Sequence, residues 1–263
     1  MKSSRKITAV ASIVLAASLG LAGCGDNGAT GETGASQEQQ QPANQQMTAD
    51  NFVQRMSDAQ YKAGTAHMNM KMNAAGTDMN IDADIKIAED PKDVAMKMTM
   101  PIQDMKAVMI LIGNELYMNM GDATQNKFTK LPDSMKEQMN FDQITSQMNP
   151  AASAEQLKSA LKDFKAEAGE EIDGVKTTKY VLTVDTKKAM EASGQSEQLP
   201  PEALKQLGDT LTYEMYVGDA DDLPRRMVMN VADTPMTANF SKWGEDVTIE
   251  APAEDELIEM PGM

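Results

Sequence analysis

Apolar and polar residues alternate along most of the chain between residues 66 and 251. In the segment 66–72, alanine or methionine occupies every second position, and His67, Asn69 and Lys71 lie between them. A period of two places successive side chains on opposite faces of a strand, so the segment has one apolar and one polar face. The same pattern predicts further strands at 79–87, 94–100, 116–120, 175–186, 211–217, 226–232, 236–243 and 247–251. The segment 105–112 is largely apolar at both sets of positions and predicts a strand in the centre of the sheet.

Helical spacing replaces this alternation at the start of the region and in its middle. Thr48 is placed to cap a first helix that Gly64 ends, and the apolar side of that helix carries Phe52, Val53, Met56 and Ala59. Ser153 is placed to cap a second helix, whose apolar side carries Leu157, Leu161 and Phe164. Weaker patterns predict helices at 134–148, 186–192 and 201–207.

Strands outnumber helices, and they do not alternate with helices as they would in a parallel α/β fold. Short polar connections join the strands, which is typical of antiparallel meanders. The pattern therefore predicts an α+β fold built on one large antiparallel β-sheet.

The first 24 residues have the pattern of an export signal. Lys2, Arg5 and Lys6 form a basic head, an apolar stretch follows, and the segment ends in Leu-Ala-Gly-Cys at Cys24. The apolar stretch is shorter than the roughly 20 residues that a membrane-spanning helix needs. The ending resembles the lipobox of bacterial lipoproteins, and the resemblance implies that Cys24 is acylated, with palmitate-like chains, and becomes the first residue.

Composition divides the remainder of the chain. Residues 24–46 are rich in Gln and Gly, with Thr, Glu, Asn, Ser and Pro among the rest, and predict a disordered tether with a reach of roughly 25 Å. Residues 47–252 are enough for one domain with its own core. Residues 253–263 are acidic and predict a loose tail.

The charge of the chain excludes one class of partner. The formal net charge is −16, and removal of a leader at 1–23 would take away three basic residues and no acid. Nucleic-acid binding needs clustered lysine and arginine, so we expect no nucleic-acid partner. An acidic chain is also repelled by anionic lipid surfaces, which leaves acylated Cys24 as the predicted membrane attachment.

The residues that catalysis requires are scarce. The chain contains one histidine, His67, and one cysteine, Cys24, so neither a catalytic triad nor a histidine and cysteine zinc site is predicted. His67 is expected to lie on the polar face of its strand. Asp219, Asp221 and Asp222 form the densest acidic cluster; the alternatives are weak Ca²⁺ binding and a solvated turn. We predict no enzyme activity, no cofactor and no resident metal.

Methionine is the unusual feature, with 24 residues in the chain. Three interpretations stay open: an ordinary core, a Cu(I) site in the Met-x-Met repeats of Met68, Met70 and Met72, and an adaptable surface for acyl chains. The last predicts a ligand cavity. Its candidate lining residues are Met68, Met70, Met72, Met79, Ile81, Ile85, Met96, Met98, Met109, Met215, Val217, Met227, Met229 and Phe240.

Two hairpins and the order of elements carry a resemblance to a known family. The hairpins are Ile-Gly-Asn-Glu-Leu-Tyr-Met at 112–118 and the acidic turn with Leu-Pro-Arg-Arg at 223–226; Phe-Ser-Lys-Trp-Gly at 240–244 precedes the last predicted strand. With the lipobox and tether, this order resembles the actinobacterial lipoproteins of the LppX/LprAFG type and, more distantly, the carriers LolA and LolB. The resemblance implies a half-barrel, a large curved antiparallel sheet with helices packed over its concave face.

Several members of that group hold a lipid or acylated glycolipid between sheet and helices. The resemblance therefore implies an envelope lipoprotein, anchored to the outer face of the cytoplasmic membrane, that binds a lipid or other amphiphile for transport or presentation. The alternatives are a Met-rich copper-binding lipoprotein and a sensor or adaptor for another envelope protein. The family supplies no catalytic residues.

Overall fold

The computed structural model describes residues 46–74, 77–102, 105–138, 150–192, 207–231 and 234–259. In this part of the chain, helices and strands follow one another in a single order. The helices are α1 (Phe52–Ala63), α2 (Asp133–Gln138), α3 (Pro150–Ala160) and α4 (Thr186–Ala192). The strands are β1 (Thr65–Ala74), β2 (Thr77–Lys86), β3 (Ala95–Ile102), β4 (Met105–Ile112), β5 (Glu115–Asn119), β6 (Thr129–Lys130), β7 (Leu161–Ile172), β8 (Val175–Asp185), β9 (Thr210–Gly218), β10 (Pro224–Val231) and β11 (Thr234–Ser241).

The strands of the described segments form one antiparallel sheet in the order β6-β5-β4-β3-β2-β1-β11-β10-β9-β8-β7. Each half of the chain forms a meander of sequential neighbours, and the pairing of β1 with β11 joins the two halves. The sheet is open, because β6 and β7 lie at opposite ends of this order. These features confirm the predicted α+β fold with a large curved antiparallel sheet.

The registers confirm that the alternation separates two faces. Met68 lies opposite Phe240 of β11 and Ala83 of β2. His67, the preceding residue, lies opposite Ser241 and Asp84. Directly opposed residues point to the same side of a sheet, so the apolar set on each strand continues the apolar set on the next.

Helix α1 begins later than the sequence predicts. Its N-cap is Asn51 instead of Thr48, because residues 49–51 form a turn in which the Asn51 Oδ1 accepts a hydrogen bond from the Thr48 N–H at 2.7 Å. The predicted end is confirmed: Gly64 has φ +73° and its N–H donates to the Gln60 carbonyl at 2.9 Å. Glycine adopts this left-handed conformation without the steric cost that a Cβ would bring.

Helices α1, α3 and α4 pack on the apolar face of the sheet over its β7–β9 end. Phe52 of α1 is 1% exposed, and its ring lies 5.1 Å from Tyr180 of β8 and 5.2 Å from Phe164 of β7. Ala160 at the end of α3 packs with Val184 and Leu211 in an adjoining cluster. Helices therefore cover one end of this face, as the half-barrel prediction required.

The second predicted helix is wrong at both ends. It begins at Pro150, so Ser153 lies within the helix and is not its N-cap. Proline is favoured at the first helical position, because the N–H that it lacks would have no partner there.

The helix ends at Ala160, and Leu161 and Phe164 belong to strand β7, which the sequence pattern did not predict. The segment is rich in Lys, Glu and Ala, which favour helix. Register shifts between Leu161 and Asp163 and between Ala168 and Glu171 also interrupt its alternation. Pairing along β8 overrides this local preference.

The end of the described chain also differs from expectation. The predicted strand at 247–251 is wrong, since these residues form no strand and pair with no strand in the described structure. The tail was predicted to be loose, yet the Ile258 N–H donates to the Phe128 carbonyl, and the Phe128 N–H donates to the Glu256 carbonyl, both at 2.8 Å. The predicted helix at 186–192 is confirmed, while most of 134–148 and 201–207 lie outside the described residues.

Candidate ligand-binding face

The fourteen candidate lining residues all lie on one face of the sheet, which we call the methionine face. The registers place Met68 opposite Ala83, Ala83 opposite Met98, and Met98 opposite Met109. On the other half of the sheet, Met70 lies opposite Ala238, Ala238 opposite Met227, and Met227 opposite Met215. The remaining candidates lie on the same face, because each is opposite a residue of this face or two positions from one along its strand. They are Met72, Met79, Ile81, Ile85, Met96, Val217, Met229 and Phe240.

One row of opposed residues shows how this face is divided. It crosses seven strands, from β7 to β2, as Phe164, Leu182, Tyr213, Met229, Met236, Met72 and Met79. The first three residues belong to, or pack against, the core cluster beneath α1. The row therefore leads from a helix-covered core onto a run of methionines.

Burial follows the position of the helices. Met215 and Val217 are 8% and 1% exposed and belong to the core cluster that contains Phe52 of α1. The other twelve candidates, on β1–β4, β10 and β11, are half-buried. The central strands thus present an apolar surface that the protein shields only in part.

A second small core lies near the β6 end of the same face. Leu111, Leu116 and Leu131 are each 3% exposed or less. Met96, Met109 and Met118 pack against them. The half-buried surface of the central strands is therefore bounded by packed clusters on both sides.

On the central strands β1 and β2, the opposite face of the sheet is polar, and its side chains pair with one another. His67 Nδ1 lies 2.8 Å from Asp84 Oδ1, and Asn69 donates to Asp82 at 2.7 Å. On the other half of the sheet, the Arg226 guanidinium lies 5.6 Å from the centre of the Tyr216 ring. The expected position of His67 on a polar strand face is confirmed.

A polar pocket of about 200 Å³ lies where α1 meets the turn between β9 and β10. The Asp222 carboxylate accepts two hydrogen bonds from Arg55, at 2.8 Å from Nε and 2.6 Å from Nη2. The Tyr180 hydroxyl accepts a hydrogen bond from the Met47 N–H at 3.0 Å. Burial raises the pKa of Tyr180 and of Tyr213, so both phenols are neutral at physiological pH.

The three aspartates of the Leu-Pro-Arg-Arg hairpin have separate structural partners. Asp219 accepts from the Thr178 hydroxyl at 2.8 Å, Asp221 pairs with Arg225, and Asp222 pairs with Arg55. Within the described residues, no group of three His, Cys, Asp or Glu side chains is placed to hold a metal ion. These carboxylates fix the turn and α1, which argues against the weak Ca²⁺ alternative.

The Arg55–Asp222 ion pair joins α1 to the turn between β9 and β10. The pair is partly buried, since its side chains are 12% and 19% exposed. We expect Arg55→Ala to lower the free energy of unfolding by about 1.5–3 kcal/mol, since it leaves a partly buried carboxylate unpaired. Urea denaturation of a form of the chain that begins at Gly25 measures this change. Lys187→Ala is the control, because its pair with Glu191 is exposed and spans 3.7 Å; about 0.5 kcal/mol or less is expected. Equal small losses from both changes would show that the pair does not hold α1.

Two parts of the site lie outside what the sequence pattern identified. Phe164 and Leu182 enter the face through β7 and its pairing with β8. Met236 lies opposite Met72, and the alternation of the predicted strand 236–243 could have identified it as a residue of this face.

Cys24 and the predicted tether up to residue 45 lie outside the described residues, so acylation of Cys24 stays a prediction. In the described structure, no helix is long and apolar enough to cross a membrane.

Comparison with known proteins identifies a family and a fold. The family model described as "Family of unknown function (DUF6612)" matches residues 48–252. No protein of curated function matches the sequence. The crystal structure of LprF from Mycobacterium bovis is similar at a TM-score of 0.56 and 16% identity, covering 78% of this chain and 97% of LprF. The Mycobacterium tuberculosis lipoprotein LppX is similar at a TM-score of 0.51 and 16% identity, covering 77% of this chain and 98% of LppX. At these identities the similarity shows a common fold, and the fold expected from the LppX/LprAFG resemblance is confirmed.

Proposed function

This chain belongs to the DUF6612 family of unknown function, and we propose that it is an envelope lipoprotein that binds a lipid or other amphiphile on its methionine face. The half-buried apolar surface across the central strands carries this proposal. Twelve of the fourteen candidate residues lie in it, on six strands of one sheet. Contiguous apolar surfaces of this kind on soluble domains mark binding sites for apolar ligands or partners.

The residue type on this face suits a flexible ligand. Methionine has an unbranched, polarizable side chain with three rotatable bonds, and methionine-rich surfaces adapt to varied partners. Met68, Met70 and Met72 follow one another along the central strand β1, and Met96 and Met98 lie on β3. An acyl chain that lies across these side chains gains about 0.8 kcal/mol for each CH₂ group removed from water. Binding is therefore driven by apolar burial, and no chemical step is required.

The helix-covered end of the face supplies a polar boundary. Tyr180 and Val217 belong to the methionine face and also line the polar pocket beside Arg55 and Asp222. Met47, where the proposed tether joins the domain, is held there by Tyr180.

The test of this function is uptake of lipid from a membrane. The soluble chain beginning at Gly25 is delipidated and mixed with vesicles that contain a self-quenching fluorescent phospholipid. We expect a saturable rise in fluorescence with protein concentration, because the bound lipid leaves the quenched bilayer. Absence of uptake at protein concentrations in large excess over lipid would contradict the proposal.

The proposed anchor is tested separately through Cys24. We expect Cys24→Ser to move the protein from the membrane fraction to the soluble or secreted fraction and to abolish labelling by radioactive palmitate. Two or three acyl chains anchor a protein stably, and a chain with a net charge of −16 is repelled by anionic lipid surfaces. Fractionation and labelling in the native host measure this change. Unchanged membrane attachment of Cys24→Ser would show that something other than this cysteine holds the protein.

A further inference from the structure

Four methionines are consecutive neighbours across four adjacent strands. Met79 of β2 lies opposite Met72 of β1, Met72 opposite Met236 of β11, and Met236 opposite Met229 of β10. We call these four residues the methionine row. All four side chains are half-buried on the methionine face.

The methionine row places the Cα atoms of its members closer together than the Met-x-Met repeats do. Directly opposed Cα atoms lie about 4.5–5.5 Å apart, whereas residues two positions apart on one strand lie about 6.6 Å apart. Each side chain can move its Sδ by rotation about three bonds. Met72 and Met236 can therefore both ligate one ion, and Met79 or Met229 can supply a third thioether.

The surroundings of the row favour a soft cation. In the described structure the four side chains are not among those that pack against the three core clusters, whereas Met96, Met109 and Met118 are. Carboxylates on the same strand, Asp78 and Asp82 of β2, occupy alternate positions and face the other side of the sheet. Thioether sulfur without carboxylate or carbonyl oxygen selects Cu(I) over hard divalent cations.

We propose that the methionine row binds one Cu(I) ion through thioethers of Met72, Met236 and a flanking methionine. The site differs from the Met68, Met70 and Met72 repeat that the sequence suggests, because cross-strand neighbours are closer than residues along one strand. Binding is simple coordination of a monovalent ion with no redox step. The inference does not require lipid binding, because it rests on the strand registers and on thioether chemistry, although Met72, Met79 and Met229 also belong to the proposed lipid-binding surface.

The experiment uses the whole chain as its host exports it, solubilised in a mild nonionic detergent without oxygen. Cu(I) is titrated in competition with a chromogenic Cu(I) chelator. We expect one Cu(I) per chain. We expect the double variant Met72→Leu/Met236→Leu to bind Cu(I) about 10-fold to 100-fold more weakly, because even the loss of a group outside the ligand shell lowers metal affinity by that factor. Leucine has nearly the same volume, so the fold is retained.

The matched control is Met98→Leu/Met109→Leu, which also removes two opposed thioethers from the same face. It should bind Cu(I) as tightly as the unaltered chain. Failure of the unaltered chain to retain Cu(I) against the chelator would overturn the proposal, as would equal weakening in both double variants. Lipid uptake is measured on the unaltered chain with the fluorescent vesicles, so failure of the copper site and failure of lipid binding are distinguished by separate readouts.

Discussion

Ile81→Lys is expected to weaken lipid uptake by a factor of about 10 to 100. Ile81 lies opposite Met70 on the central strands and is half-buried on the methionine face. A bound acyl chain would bury the lysine ammonium without a partner, and unpaired polar burial costs about 1–3 kcal/mol or more, with each 1.4 kcal/mol worth a factor of ten in affinity. Titration of the delipidated soluble chain with the fluorescent phospholipid vesicles measures the change.

The matched control is Asn80→Lys, the preceding residue on the same strand. Asn80 is exposed on the polar face, so the substitution adds the same charge one position away but on the other side of the sheet. We expect its lipid uptake to equal that of the unaltered chain. If both variants lose uptake equally, the effect arises from charge or misfolding, and lipid does not lie on the methionine face. Circular dichroism and thermal unfolding establish that both variants are folded.

Hydrogen peroxide is expected to abolish lipid uptake while leaving the sheet folded. Oxidation adds one oxygen to the thioether and converts an apolar side chain into a polar sulfoxide. Half-buried methionines such as Met70, Met98 and Met227 are accessible to the oxidant, whereas Met47 and Met215 are 3% and 8% exposed and should react slowly. Peptide mass mapping of the oxidised positions, with uptake measured on the same samples, follows both changes.

Two controls decide whether oxidation acts through the methionine face. Methionine sulfoxide reductases should restore uptake, because the modification is reversible by these enzymes. A variant with leucine at Met68, Met70 and Met98 should bind lipid before oxidation and keep more of its uptake afterwards than the unaltered chain. Full uptake by an oxidised sample in which these three methionines are sulfoxides would contradict lipid binding on this face.

The two faces of the sheet were predictable because strand periodicity is local. Met68, Met70 and Met72 share a face through the geometry of one strand, and no distant contact is needed to place them together. The order of the strands is not local: β1 pairs with β11, from the opposite end of the domain, through His67 and Ser241. Nothing in the alternation of either strand identifies its partner.

The errors in the sequence-based fold have physical causes. Strand β7 contains helix-favouring Lys, Glu and Ala, and its pairing with β8 outweighs that preference. The segment 247–251 alternates like a strand but pairs with no other strand in the described structure. Alternation indicates that a segment has two faces, and a strand also requires a neighbour with unpaired backbone groups.

The same limit applies to the site. The sequence placed Met215 and Met227 on one face, yet only Met215 is buried, because it belongs to the core cluster that contains Phe52 and Met56 of α1. Which part of an apolar face a helix covers depends on tertiary packing and not on the strand pattern. The division between a packed core and a half-buried methionine surface therefore emerges only in the folded structure.

The most direct test of lipid binding is native mass spectrometry of the soluble chain beginning at Gly25, exported by its native host and purified without denaturant. We predict a discrete added mass that extracts as lipid, and its loss in Ile81→Lys but not in Asn80→Lys. A bare protein that also takes up no added phospholipid or glycolipid would contradict the proposed function.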